Sequence, residues 1–500
     1  MPNSSAHEIE SLEPKLVWQI FAGIAAVPRP SKKEERIRQH LKDAAARHKF
    51  ALREDKVGNM VISVPATPGC EHAPIIVLQG HIDMVCEKNA DTQHDFDNDP
   101  IRMVLDKHDG ERIVRADGTT LGADNGIGVA LALAAATSPD VKHGPLELLL
   151  TIDEEAGMTG AKALEGDLFN GRIMLNLDSE EDDVIYIGCA GGCDTTLAWE
   201  FASEPVAEGA EICRVIVRGL RGGHSGGDIH LNRGNAVKLL ARTLGAVPES
   251  ALQLAELNGG SLRNAIPREA SAVVVGLAGT VGAISRTATQ VESETIEDAG
   301  ESDCEILVEV IDSPKPTAVI SREATRRVLL ALTGLPNGVL AVVPEIAGLV
   351  ETSNNVATVR MDRAKAAGSV HVTVGCLSRS SVESSIDRAV RQIRAVGELS
   401  GASVDVGNDY PGWRPNVDSP VLAACRKVYE EQFDEAPNVT AIHAGLECGI
   451  IGKRVEGMDM VSFGPHIEGA HSPDERVYVD SVAKSWQYLK AVLARLADAD

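Results

Sequence analysis

Side chains of the types that bind divalent cations or move protons stand where apolar runs end: His81, Asp83, Asp124, Glu154, Glu155, Asp178 and His471. In APIIVLQGHID (73–83) an unbroken apolar run stops at Gly80, and an imidazole and a carboxylate follow at once. The same design recurs in LELLLTIDEE (146–155) and RIMLNLDSEE (172–181). A looser form is MDMVSFGP (458–465), with His471 a short loop beyond. A hydrolytic two-metal site needs one imidazole and one terminal carboxylate per metal, a bridging carboxylate and an unligated base. His81 and His471 can serve one metal each, Glu155 and Asp178 can be terminal ligands, and Asp124 can bridge. Glu154 is then left as the base, held beside the metals by its neighbour. Asp83 can accept a hydrogen bond from the His81 ring and fix its tautomer.

Each residue alone has a plainer reading. A lone histidine after a strand is more often solvated or hydrogen-bonded than a ligand, and Glu154-Glu155 alone would be a solvated pair. GADNGIG (122–128) could open a helix that cradles phosphate, but it lacks the GxGxxG spacing and follows no clear strand. Several acid and imidazole groups at the ends of buried strands are costly to leave unpaired. Metal ligation satisfies all of them together.

The elements that position these groups are short apolar runs of the kind found in buried parallel strands. Ligands in such open sheets gather outside the carboxyl ends of the strands. Alternation of strands and helices through residue 187 gives an α/β sheet, and VALALAAA (129–136) reads as a helix buried nearly all round. Ser31 and Glu34 form a capping box for a helix over 31–50. After GCAGGC (188–193), strands such as ICRVIVRGL (212–220), SAVVVGLAG (271–279) and SVHVTVGCLSR (369–379) interleave with helices near 234–245, 321–334 and 381–398. The expected architecture is an open mixed-sheet α/β catalytic domain, 1–190 and 408–500, with an α+β domain inserted at 191–407. The polar, acidic stretch 279–303 reads as a mobile surface excursion.

A chain of 500 residues is too long for one core. Its formal charge of −25 argues against nucleic acid or an anionic membrane surface as partner. The 9 cysteines form no CxxC pairs and read as free buried thiols. MPNSSAHEIESLEPK has neither a basic n-region nor an apolar h-region, so no signal peptide is expected. No run approaches the ~20 residues of a membrane span. A cytoplasmic protein is the expectation.

In order along the chain, LQGHIDM, TTLGADNGIG, TIDEEAGM, NLDSEE, GGHSGG, RNAIPREA, YPGW, HAGLECG and HSPDER closely resemble the motifs of one enzyme group. They are the co-catalytic di-zinc metallopeptidases, which include aminoacylases, glutamate carboxypeptidases and bacterial Xaa-His (carnosinase-like) dipeptidases. The likeness runs from near Leu12 to the C-terminus and is strongest to the Xaa-His dipeptidases. It implies one metal held by His81, Asp124 and Asp178, and the other by Asp124, Glu155 and His471. Glu154 matches the general base, Asp83 the carboxylate that orients His81, and Asp124–Asn125 a cis peptide bond. The inserted domain resembles a lid that also makes a homodimer contact. There His224 matches the histidine that polarises the scissile carbonyl, within its own subunit or from the neighbouring one. Asn264 and Arg379 match substrate-binding residues, Arg379 for the terminal carboxylate. Gly445 and Glu447 lie in a segment expected to line the pocket.

The implied reaction is hydrolysis of dipeptides, Xaa-His first or a broader range, by a hydroxide bridging two divalent metals, with Glu154 as acid and base. The donor set suits zinc, with manganese or cobalt as alternatives. Two rival readings remain. Gly223-His224-Ser225-Gly226-Gly227 fits the G-x-S-x-G elbow of serine hydrolases, but the next clear helix starts too late, near Asn232. A catalytically silent metal-binding scaffold would usually have lost the base or a ligand, and here all are present.

Overall fold

The computed structural model describes residues 4–247, 252–363 and 368–498. The chain forms two compact units, one of 1–188, 415–441 and 446–500, the other of 189–414 and 442–445.

In the first unit, the strands Leu146–Thr151, Ile76–His81, Ile173–Asn176 and Asp459–Ser462 lie side by side and parallel. Met60–Val64 pairs antiparallel to Leu146–Thr151, and Ala51–Glu54 antiparallel to Met60–Val64, so the sheet is mixed. Ile76, Val77, Leu78, Leu148, Leu149, Met174 and Leu175 are all buried, as both-face burial of a parallel sheet requires. The helix Ala123–Thr137 is buried along nearly its whole length, Ile127 to Ala136 included. Trp18 and Phe21 of the helix Lys15–Ala25 are buried too.

The last residues of these parallel strands are polar, and they bond to one another. Gln79 Nε2 donates to Thr151 Oγ1 at 3.1 Å, and Asn176 Nδ2 donates to Gln79 Oε1. At Gly80 a Cβ would collide with Asn125 Oδ1, so only glycine lets that asparagine lie against the strand and donate to the Leu177 carbonyl at 2.6 Å.

The second unit is built on antiparallel strands, in the order Glu305–Val310, Glu211–Arg218, Ala270–Gly276, Leu252–Gly259, Val350–Arg363, Ser369–Ser380, Gly191–Pro205 and Ala318–Ile320. Leu240, Ile284, Val328 and Ile393, from four helices, share one core with Val215, Leu254, Val274, Val356 and Val372 of the sheet.

Two expectations are corrected. The stretch 279–303 holds a helix, Thr280–Ala299, which buries Ile284, Ala288, Val291 and Thr295. Their spacing of four, three and four is a helical stripe, thin because only Ile284 and Val291 in it are sizeable apolar groups. Ser31 and Glu34 form no capping box: the helix Glu35–Arg47 starts later and has no side-chain cap. Ser31 Oγ instead donates to Asp83 Oδ2 at 2.7 Å, while Glu34 Oε1 accepts the Lys32 N–H.

Candidate active site

His81 ends the strand Ile76–His81, one of the two inner strands of the parallel set, and is buried. Its Nδ1 lies 3.3 Å from Asp83 Oδ1, off the line of a well-formed hydrogen bond. Its Nε2 is 3.0 Å from Asp124 Oδ1 and 3.5 Å from Asp178 Oδ1. Opposite, His471 Nε2 is 3.3 Å from Asp124 Oδ2 and 2.9 Å from Glu155 Oε2. Asp124 thus turns one oxygen to each imidazole.

Ligand-type atoms gather within 4.8 Å of one another in the set His81, Asp124, Asp178 and in the set Asp124, Glu155, His471. A third set of the same size, His81, Glu154 and Glu155, puts the Glu154 carboxylate beside both. The sequence expected these residues to meet, and the first unit brings all of them together. Asp124–Asn125 is cis.

The electrostatics fit cations. Burial pushes the Glu154 carboxyl up to about 8, with Glu447, Glu155 and Asp124 adding to the effect. Burial drives Asp178 well above the ordinary carboxyl range, and its Oδ1 has no hydrogen-bond partner. The hydrogen bonds of His471 to Asp124 and Glu155 raise its ring to about 11. An imidazole Nε2 aimed at two carboxylates must carry a proton or share a cation with them. Nitrogen and carboxylate donors in two overlapping sets are the donor chemistry of a pair of divalent ions.

Asp83 is fully buried. Burial would raise its carboxyl, yet His81, Ser31 and the Glu154 N–H hold it down to about 2. It faces His81 as an anion.

Glu447 is the first residue of the helix Glu447–Arg454 and is fully buried. Its Oε2 accepts from Gln79 Nε2 at 2.6 Å and from Thr151 Oγ1 at 2.5 Å, while Oε1 has no partner. Burial lifts its carboxyl to about 7.

The other expected residues, His224, Asn264, Arg379 and Gly445, belong to the second unit. His224 is half-buried, and its Nδ1 accepts the N–H of Gly226 at 3.2 Å and of Gly227 at 3.0 Å. Nδ1 is therefore unprotonated, and the ring proton sits on Nε2. Burial, then the Arg379 charge, lowers the His224 pKa. Asn264 is exposed, and its carbonyl accepts the Ser225 N–H at 2.7 Å. Arg379 is buried; its Nη1 donates to Tyr410 Oη at 2.8 Å, and its Nε has no partner. Ser225, the nucleophile of the elbow reading, has a buried Oγ that is hydrogen-bonded to no base among the described residues.

Sequence reasoning gave no role to Arg29 and Glu475, both buried and both bonded to the turn that carries Asp124. Glu475 lies inside the HSPDER motif, four residues after His471, which was the available signal.

The chain belongs to peptidase family M20/M25/M40, whose family model matches residues 77–495. It is 42% identical over 490 residues to the cytosol non-specific dipeptidase of Escherichia coli (strain K12), across 98% of this chain and 99% of that one. The crystal structure of the aminoacylhistidine dipeptidase from Vibrio alginolyticus is 43% identical, with a TM-score of 0.88 over 97% of each chain. A tripeptidase from Staphylococcus aureus, 15% identical with a TM-score of 0.61 over 98% of this chain and 100% of that one, shares the fold.

Proposed function

We propose that the chain is a metal-dependent dipeptidase, with Xaa-His dipeptides of the carnosine type as first substrates and a wider dipeptide range as the alternative. The observation that carries this reading is the pair of ligand sets joined at Asp124. The names of the relatives from E. coli and V. alginolyticus support hydrolysis of dipeptides and differ on its breadth.

His81, Asp124 and Asp178 would hold one cation, and Asp124, Glu155 and His471 the other, with zinc preferred to manganese or cobalt. Such a pair, when bound, polarises a carbonyl and acidifies a water. Glu154, desolvated and outside both ligand sets, takes a proton from the attacking water on a carboxylate oxygen and returns it to the leaving amine. Asp83 keeps the His81 ring turned so that Nε2 faces the ligands.

His224 donates its Nε2–H to the developing oxyanion. Asn264 and Arg379 bind substrate, Arg379 by charge-assisted hydrogen bonds to the terminal carboxylate. Gly445 and Glu447 contribute to the pocket. The second unit serves as lid and as the homodimer contact. A cytoplasmic location agrees with the name of the E. coli relative and with the helices, none of which, among the described residues, is long and apolar enough to cross a membrane.

The test is activity on a dipeptide panel after exhaustive chelation and after reloading with zinc, manganese or cobalt. Turnover should vanish with chelation and return with metal, with Xaa-His peptides among the best. No turnover of any dipeptide by the loaded protein would favour a silent scaffold.

A further inference from the structure

The turn Leu121–Asp124 carries the carboxylate shared by both ligand sets, and two buried opposite charges grip it. Glu475 Oε2 accepts the N–H of Leu121 at 2.6 Å and of Gly122 at 2.8 Å; its Oε1 accepts the N–H of Ala123 at 2.7 Å and of Asp124 at 3.3 Å. Arg29 works on the carbonyls. Its Nη2 donates to Gly122, and its Nη1 to Ile82 at 3.1 Å and Asp83 at 2.6 Å. Each of the two is 2% exposed.

A helix start leaves its first N–H groups without partners, and a serine or aspartate at the N-cap is the ordinary remedy. Here Asp124 and Asn125 are non-helical, so the turn Leu121–Asp124 precedes the regular part of the helix, and Gly122, in the left-handed region, has no side chain to offer its N–H groups. The acceptor comes instead from a residue 351 to 354 positions away. Burying a carboxylate and a guanidinium carries a desolvation penalty that a local cap avoids. The arrangement does something that a local cap cannot, because each charge joins two ligand-bearing segments. Glu475 follows His471 by four residues and holds the backbone of Asp124. Arg29 holds the peptides just after His81 and the same turn.

We propose that Arg29 and Glu475 are positioning residues for the metal pair, setting the distance of Asp124 from His81 and from His471. The inference rests on the dinuclear reading above. Glu475 governs chiefly the set Asp124, Glu155, His471, and Arg29 chiefly the set His81, Asp124, Asp178.

The experiment uses full-length protein with E475Q, E475D and R29K. Glutamine keeps the shape of Glu475 but turns an NH2 group toward backbone N–H donors. Aspartate keeps the charge with a shorter reach. Lysine keeps the charge of Arg29 without the fork that spans three carbonyls. Cobalt(II) is titrated against a chelator, its visible absorption bands are recorded, and unfolding of the chelated protein is followed separately. His471→Ala identifies the binding step and bands that belong to the His471 set.

The parent should take two ions. E475Q should weaken the His471 step about 10–100-fold, change its bands and leave the other step close to the parent's. R29K should act mainly on the other step. E475D should fall between the parent and E475Q, and it carries the test if E475Q does not fold. Variants that bind both ions with the parent's affinities and spectrum would overturn the positioning role. A parent that binds fewer than two ions would overturn the dinuclear reading instead.

Discussion

The backbone N–H of Glu154 donates to Oδ1 of Asp83 at 3.0 Å. The next N–H, of Glu155, donates to the other oxygen at 3.2 Å, and Ser31 Oγ donates to that same oxygen. One carboxylate thus fixes the loop that carries both the proposed base and a proposed ligand, while Oδ1 faces the ring of His81. Its position in the chain, two residues past His81, hides this reach across to a neighbouring strand.

Asp83→Ala removes both anchors and the counter-charge of His81. Metal affinity should fall about 10–100-fold, the usual effect of losing a group that orients a ligand. Chelator competition measures it. Asp83→Asn, which keeps one good acceptor, should lose less, and affinities equal to the parent's in both variants would show that the ring is held by the fold alone.

Glu154→Gln should keep two metals and lose turnover. Its carboxylate stands next to both ligand sets without being needed by either, so metal content by elemental analysis should match the parent. Turnover at saturating dipeptide should drop 10²–10⁴-fold, the range for removing a general acid–base group. Parent-like turnover would move the base elsewhere.

His81, Glu154, Glu155 and Asp178 were legible in the sequence because apolar runs ending in ligand types are a local signal. The groups that hold the proposed ligands were not. Glu475 meets Leu121 across 354 positions and Arg29 meets Gly122 across 93, and no periodicity relates them. The helix Thr280–Ala299 was hidden for another reason: its buried stripe includes only Ile284 and Val291 as sizeable apolar groups, too few to stand out from its acidic surface. Ser31 and Glu34 had the right spacing for a cap, but Asp83 offered Ser31 a charged acceptor, which makes a stronger hydrogen bond than a backbone N–H and a neutral hydroxyl.

His443 should make the protein less stable in acid. Burial, with the charge of Arg379, pushes its pKa down to about 3 from an ordinary 6.5, and its Nε2 sits 2.7 Å from Ser353 Oγ. As pH falls below 6.5 the unfolded chain takes up a proton on this ring and the folded chain does not. Stability is therefore lost between pH 6.5 and 3. Thermal midpoints of chelated parent and His443→Gln, compared between pH 7 and 5, isolate this group from the carboxylates common to both. The parent should fall more steeply; parallel slopes would mean that His443 takes up its proton in the folded state as readily as in the unfolded one.

His224 should act as a neutral donor. Two backbone N–H groups occupy Nδ1, so the ring can offer only Nε2–H, and burial keeps its pKa below the usual value. His224→Ala should lower kcat at least tenfold, about 1.4 kcal/mol of barrier, with both metals still bound. A donor to the oxyanion acts in the transition state more than in the ground state, so KM should move less than kcat. Substrate binding lost at constant kcat would instead make His224 a binding residue, and an unchanged kcat and KM would remove it from the mechanism.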